Sequence, residues 1–309
     1  MKSHDVVGLG YACLDILGTV PHLPELDTKL GLGSLTIQGG GPVATALVTL
    51  ARLGARTLFA GRLGDDEFGR RILAGLKDEH VGVEVHVSPG TTSPFAFVMV
   101  TPDGKRTVLW TRGSAPLLAP DDVPTEVVRS GRILLLDDIE IPAATRAAHL
   151  AREAGVPVIL GVGTPRAGIE GLIRLADDIV MAEKFPFRLT GERDHRRALE
   201  SILAMGPARA TVTLGERGSR HLDRDGNWLE QPAIPAATVD TTGAGDVYCG
   251  AYVYARLEGW PMEKTLRFAS AVAARQTEAV GGRTSIPTLE AALALLDSAG
   301  AHSGTASTR

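Results

Sequence analysis

Apolar residues along this chain follow two rhythms. Short apolar runs at residues 6–9, 57–60, 133–136, 156–160, 179–181 and 210–214 have the pattern of strands buried on both faces. Between them, apolar positions recur at helical spacing over 43–53, 65–80, 142–154, 168–176 and 195–205. Gly54 and Gly155 close two of these helices, and the acidic Asp65-Asp66 opens another where the helix dipole favours negative charge. Three more helices are predicted at 244–258, 261–277 and 288–297. Strands alternating with helices imply right-handed βαβ crossovers and a largely parallel sheet.

Two stretches break this rhythm. Residues 95–100 and 106–110 flank Pro102-Asp103-Gly104 and predict a β-hairpin. It need not join the main sheet. With the short apolar stretch 35–37 it predicts a small β lid, drawn from segments 11–37 and 86–112. A second hairpin is predicted through 219–222 and 228–229. No internal repeat is present. The expectation is one α/β domain over 1–298 and a flexible tail over 299–309.

Composition narrows the function classes. The chain has 309 residues, 44% hydrophobic and 22% charged, with a net charge of -4, so no basic excess serves a nucleic acid. Cys13 and Cys249 are too few for a disulfide framework and favour a reducing compartment. The first residues enter strand-like sequence directly, and no apolar run approaches the ~20 residues of a membrane span. A cytoplasmic protein with neither nucleic-acid nor membrane partners is expected. The eight histidines lack metal-ligand spacing.

The sharpest chemical signal is Asp240-Thr241-Thr242-Gly243-Ala244-Gly245-Asp246, immediately before an apolar helix. The small residues Gly243, Ala244 and Gly245 let backbone N–H groups converge on an anion, and a helix N-terminus adds its dipole. Asp246 could then take the proton of an attacking hydroxyl. An acid-capped helix after a glycine turn would look similar. The pairs Asp65-Asp66, Asp121-Asp122, Asp137-Asp138 and Asp177-Asp178 are metal candidates that capping explains equally well, with Asp137-Asp138 favoured because it follows a buried strand.

That heptad resembles the C-terminal signature of the ribokinase-like (PfkB) carbohydrate kinase family. Further segments fit in order: Gly39-Gly40-Gly41-Pro42, the run from Gly61 to Gly69, Thr213-Leu214-Gly215-Glu216-Arg217-Gly218, and Gly281-Gly282-Arg283 with Ile286-Pro287. The resemblance covers residues 5–297. It implies a three-layer α/β/α fold with a mostly parallel sheet and a small β lid, and an ATP-dependent kinase for a sugar or sugar derivative. Asp246 would be the base and residues 243–245 the anion hole. Asp15, Gly40 and Gly41 would meet the acceptor, with Arg106 and Arg112 as candidates for an acidic group on it. Thr213, Gly215, Gly218, Lys184 and Gly281 would lie along the nucleotide. Glu183 and Asp240 would serve Mg²⁺ and a monovalent cation such as K⁺. The lid would pair with that of a second copy in a homodimer.

The chain also departs from the family pattern. Ala44 stands where an asparagine usually contacts the sugar. Ala182 and Phe185 replace the asparagine and glutamate of a metal-side segment, and Gly161 stands where many members have aspartate. A nucleoside kinase with an apolar pocket built on Phe97 or Trp110 is therefore a second reading. A catalytically weak sugar- or nucleotide-binding regulator is a third. A dinucleotide-dependent dehydrogenase is disfavoured, since no GxGxxG turn follows the first strand.

Overall fold

The computed structural model describes residues 2–303. A nine-stranded sheet forms the middle layer. Its strands are β1 (His4–Leu9), β4 (Thr57–Gly64), β5 (Gly82–Ser88), β8 (Gly131–Leu136), β9 (Val158–Val162), β10 (Asp178–Ala182), β11 (Arg209–Thr213), β12 (Ser219–Asp223) and β13 (Trp228–Gln231). They lie in the order β13-β12-β11-β10-β9-β8-β1-β4-β5. All pairings are parallel except β11 with β12 and β12 with β13.

Successive residues of the central strands feed opposite cores. Val6, Ile133, Leu135 and Val180 pack toward α1 (Pro42–Arg52), α8 (Ala244–Leu257) and α9 (Met262–Gln276). Val7, Leu134, Leu136 and Leu160 pack toward α4 (Ile141–Glu153) and α7 (His195–Met205). Helix α8 is buried continuously from Val247 to Ala255, between α1 and α9. Gly250 allows this: a Cβ there would meet Thr49 Cβ at 2.8 Å. Burying a helix this thoroughly leaves its first turn little freedom.

The lid is a separate four-stranded sheet of β2 (Cys13–Thr19), β3 (Leu35–Gly40), β6 (Phe95–Val100) and β7 (Arg106–Thr111), ordered β3-β2-β6-β7. Register puts Gln38, Asp15, Ala96 and Trp110 in one row, and Ile37, Ile16, Phe97 and Leu109 in the next. Adjacent rows face opposite sides. The Asp15 side buries Leu17, Ala96, Val98 and Val100 with Val280. The other side leaves Ile37 and Leu109 exposed.

Several element limits differ from the sequence expectation. The helix expected at 168–176 shortens to α5 (Ile169–Ile173), because tight turns from Leu175 to Leu172 and Ala176 to Ile173 redirect the chain into β10. Strand β9 begins after Pro157, which has no N–H to give to the ladder. Residues 86–88 belong to the main sheet through β5, not to the lid. Asp66 caps α2 (Glu67–Asp78), accepting from Gly69 N, so that helix starts later than expected. The short helices α3 (Thr125–Ser130) and α6 (Lys184–Thr190) lie outside the sequence expectation. Helix α10 (Leu289–Ser303) enters the segment expected as a tail, whose remainder lies outside the described residues.

Candidate active site

From β1 the chain steps to β4 and β5 on one side, then crosses back to β8 on the other. Such a switch point opens a crevice at the carboxyl ends of the strands. A cavity of about 260 Å³ lies on this rim. Its wall includes Asp137, Asp138, Thr213, Gly245 and Asp246.

Gly243 caps α8 in the left-handed conformation (φ 73°), which glycine adopts without strain and which turns the chain sharply into the helix. A Cβ at Gly245 would meet no atom within 4 Å, so its backbone is open to a ligand. The turn is shaped from behind by Asp240, which is fully buried. Its Oδ1 accepts from Thr242 N (2.8 Å) and Thr242 Oγ1 (2.7 Å), and its Oδ2 from Gly281 N (2.8 Å). Three protein donors thus occupy Asp240, which makes it the organiser of this loop. Gln276 Nε2 donates to Thr242 O (2.9 Å) and Gly281 O (3.1 Å), while its buried Oε1 finds no partner.

Asp246 follows on the first turn of α8. Its carboxylate makes no hydrogen bond or ion pair with the described residues. Burial raises its pKa from the ordinary 3.8 to about 7; Arg106 and Arg283 oppose the rise, Asp15 and Asp138 add to it. A carboxylate in that range can accept a proton near neutral pH. Asp137 is likewise lifted to about 7 by burial, although it accepts from Tyr11 N (2.7 Å) and Ile139 N (3.0 Å). Asp138 Oδ2 accepts from Gly163 N (3.0 Å) and Thr164 N (2.9 Å).

The lid brings Asp15 over this rim. Asp15 is buried and accepts from Cys13 Sγ at 3.3 Å, and burial raises its pKa. Its carboxylate fills the space that a side chain on Gly40 would need. Gly41 has φ 95° and packs on the Tyr11 carbonyl as α1 begins. Arg106, at the lid tip, donates to Thr241 Oγ1 (2.7 Å) and latches the lid to the turn ahead of α8. Arg112 is ion-paired with buried Glu140 and stacked over Tyr11.

The nucleotide-side expectations divide. Thr213 lines the cavity and bonds Met181 O (3.3 Å). Gly215 (φ 59°) and Gly218 (φ 86°) bracket the turn after β11. Gly281 packs against the Gln38 amide. Lys184 is exposed at the start of α6. Glu183 lies outside the cavity wall and is ion-paired with Arg217, so its carboxylate is committed elsewhere. Of the aspartate pairs, Asp66 caps a helix and Asp122 pairs with Arg62. Asp178 is held by Arg209 and Arg256 at the far ends of the strands, leaving Asp137-Asp138 on the rim.

The departures have structural counterparts. Ala44 is buried in the core. Phe185 is fully buried, and Ala182 lines the cavity. At Gly161 a Cβ would stand 3.0 Å from Cys249 Sγ, so the thiol occupies the room an aspartate would take.

Sequence comparison places this geometry. The model of the pfkB family carbohydrate kinases matches residues 3–289. The chain belongs to that family of ATP-dependent carbohydrate kinases. The kinase is 32% identical over 308 residues to a ribokinase of Arabidopsis thaliana, covering 94% of this chain and 80% of the relative. It superposes on the crystal structure of a putative ribokinase from Agrobacterium tumefaciens with a TM-score of 0.88 and 26% identity, over 96% and 99% of the two chains. It superposes on the Arabidopsis ribokinase solved with ribose and ATP with a TM-score of 0.82 and 30% identity, over 95% and 98%. The expected ribokinase-like architecture is therefore the fold of this chain.

Arg283 follows Gly281-Gly282, and the sequence pattern gives its side chain no role. It is buried, donates from Nε to Thr45 Oγ1 (3.2 Å) and from Nη2 to Gly40 O (3.1 Å), and so braces the acceptor strand from the C-terminal loop. No helix among the described residues is long and apolar enough to cross a membrane.

Proposed function

We propose that this kinase transfers the γ-phosphoryl group of ATP to a hydroxyl of a sugar or sugar derivative, with Asp246 as general base. The observation that carries this reading is the unpartnered Asp246 carboxylate beside the open Gly245 backbone, under a lid that delivers Asp15. The acceptor hydroxyl gives its proton to Asp246 while its oxygen forms the new bond to the γ-phosphorus. The bond from that phosphorus to the β–γ bridging oxygen breaks, and ADP leaves. Backbone N–H groups of 243–245 and the dipole of α8 stabilise the charge that develops. Asp15 orients the acceptor, and the Arg106 latch helps exclude water.

Among the described residues no group of three or more His, Cys, Asp or Glu side chains is arranged to hold a metal. That fits Mg²⁺ carried in chiefly by the nucleotide phosphates. Asp138 is the cavity carboxylate we assign to it, since its Oδ1 makes no hydrogen bond. Bound there, the ion would neutralise phosphate charge. The unpaired Gln276 Oε1 is an oxygen donor that suits a monovalent cation beside the 240–243 loop. The nucleoside-kinase reading draws on Trp110, which shares the Asp15 side of the lid; Phe97 lies on the opposite side. We assign the exposed outer lid row to a second copy of this chain, and a cytoplasmic location in keeping with two free, buried cysteines.

The test is ADP release with ATP and Mg²⁺ across neutral sugars, sugar phosphates, sugar acids and nucleosides, alongside Asp246→Ala. Acceptor-dependent turnover that falls about 10²–10⁴-fold in the variant is expected for loss of a general base. Wild-type protein that binds ligands yet turns over none of them would refute the reading in favour of a binding protein.

A further inference from the structure

Four charged residues line the transfer cavity: Asp137, Asp138, Asp246 and Arg166. A nucleotide polyphosphate entering it meets three carboxylates and one guanidinium. The positions where the family resemblance places polar or acidic groups, Gly161 and Ala182, contribute no charge to this wall. Among the residues lining the cavity, Arg166 is the one positive charge.

Its placement is specific. The loop between β9 and α5 is anchored at one end by Asp138, which accepts from Gly163 N and Thr164 N. At the other end Ile169 N donates to Arg166 O (3.2 Å), and Gly168 turns in the left-handed region (φ 85°). The loop carrying Arg166 is thus held just ahead of it by Asp138, the carboxylate facing the cavity. Its side chain is exposed and makes no hydrogen bond, ion pair or ring contact with the described residues. Arg106 is latched to Thr241, Arg112 to Glu140, and Arg283 to Gly40 and Thr45. Of these site-side arginines, Arg166 is the one with its donors free.

We propose that Arg166 is a catalytic residue of phosphoryl transfer, donating N–H groups to a non-bridging oxygen of the γ-phosphoryl group. This rests on the kinase reading above. A planar guanidinium suits this task, offering two parallel donors to phosphate oxygens. Its contribution grows as charge spreads over those oxygens in the transition state. Arg166 exchanges no proton and forms no covalent bond. The bonds made and broken remain those at the γ-phosphorus, and the proton goes to Asp246. The same guanidinium could otherwise serve a phosphate already on the acceptor, and the experiment separates the two sources.

The variants are Arg166→Ala and Arg166→Lys, whose exposed position leaves the fold intact, as circular dichroism and melting temperature would confirm. Steady-state kinetics should show kcat reduced about 10²–10³-fold in R166A, the range for loss of one transition-state donor. R166K should recover part of it, and the acceptor KM should change less than threefold. A second readout needs no turnover. In an Asp246→Asn background, calorimetric titration with ATP and ADP should show the preference for ATP shrinking when Arg166→Ala is added, with ADP affinity unchanged. Unchanged kcat together with unchanged ATP and ADP affinities would overturn the proposal. So would a defect confined to the KM of phosphorylated acceptors, which would assign Arg166 to the acceptor. Should the wild type turn over no acceptor, the kinase reading fails, while the ATP-against-ADP titration still decides whether Arg166 meets the γ-phosphate.

Discussion

Asp246→Asn should make this protein more stable, and by an amount that depends on pH. In the unfolded chain Asp246 ionises near 3.8; in the folded protein burial moves it to about 7. Between these values the folded state keeps a proton that the unfolded state has released. Stability therefore falls as pH climbs from 4 to 7 and stays low above it. At about 1.4 kcal/mol per pH unit, ionised Asp246 costs the fold roughly 4 kcal/mol at pH 8. Water entering through the cavity mouth lowers that figure, and we expect about 2–4 kcal/mol. Asparagine has nearly the same shape and no charge, so D246N recovers this energy at pH 8 and almost none at pH 4. Asp137 also titrates near 7, but it is present in both proteins and cancels in the difference. Urea unfolding of wild type and D246N, followed by circular dichroism from pH 4 to pH 8, measures the effect. A stability difference that stays flat across this range would refute the reasoning, because a burial penalty on one ionisable group must switch on with its ionisation.

Three further outcomes are expected. The kcat/KM of wild type should rise about tenfold per pH unit below about 7 and then level off, since only ionised Asp246 accepts a proton. Arg106→Gln removes a positive charge that opposes the rise in the Asp246 pKa, so its profile should level off at higher pH; an unmoved profile would mean the latch does not act on the base. Leu109→Asp on the outer lid row should shift sedimentation from dimer toward monomer, and a wild type that is monomeric at every concentration tested would remove the dimer assignment.

The parts legible in the sequence were those written in local pattern. Paired apolar runs predict the central strands, and the heptad ending at Asp246 predicts the sharp turn into α8. Strand β2 escaped because Cys13–Thr19 mixes polar and apolar residues without a steady alternation, whereas β5 does alternate, with Val83, Val85 and Val87 against Glu84 and His86, and lies partly inside the segment expected for the lid. The site was harder where function depends on partners distant in sequence. Arg106 and Arg112 looked alike, yet one meets Thr241 and the other Glu140. Glu183 read as a free carboxylate until Arg217 was found across from it. Arg166 sits in no motif, and only the fold reveals which cavity it borders.

The lid has a consequence for how such an enzyme can change over generations. Asp15, the glycines of β3, Arg106 and Trp110 all come from residues 15–110, whereas the proposed base and anion turn come from residues 240–246. On the proposed function, what is phosphorylated and how it is phosphorylated are inherited in different stretches of sequence. Recombination between relatives in the loop ahead of α3 would pass on one parent's taste in sugars with the other's reaction machinery. Arg283 is the stitch that such a hybrid must keep, because it reaches back from the C-terminal loop to hold Gly40 and Thr45 in place.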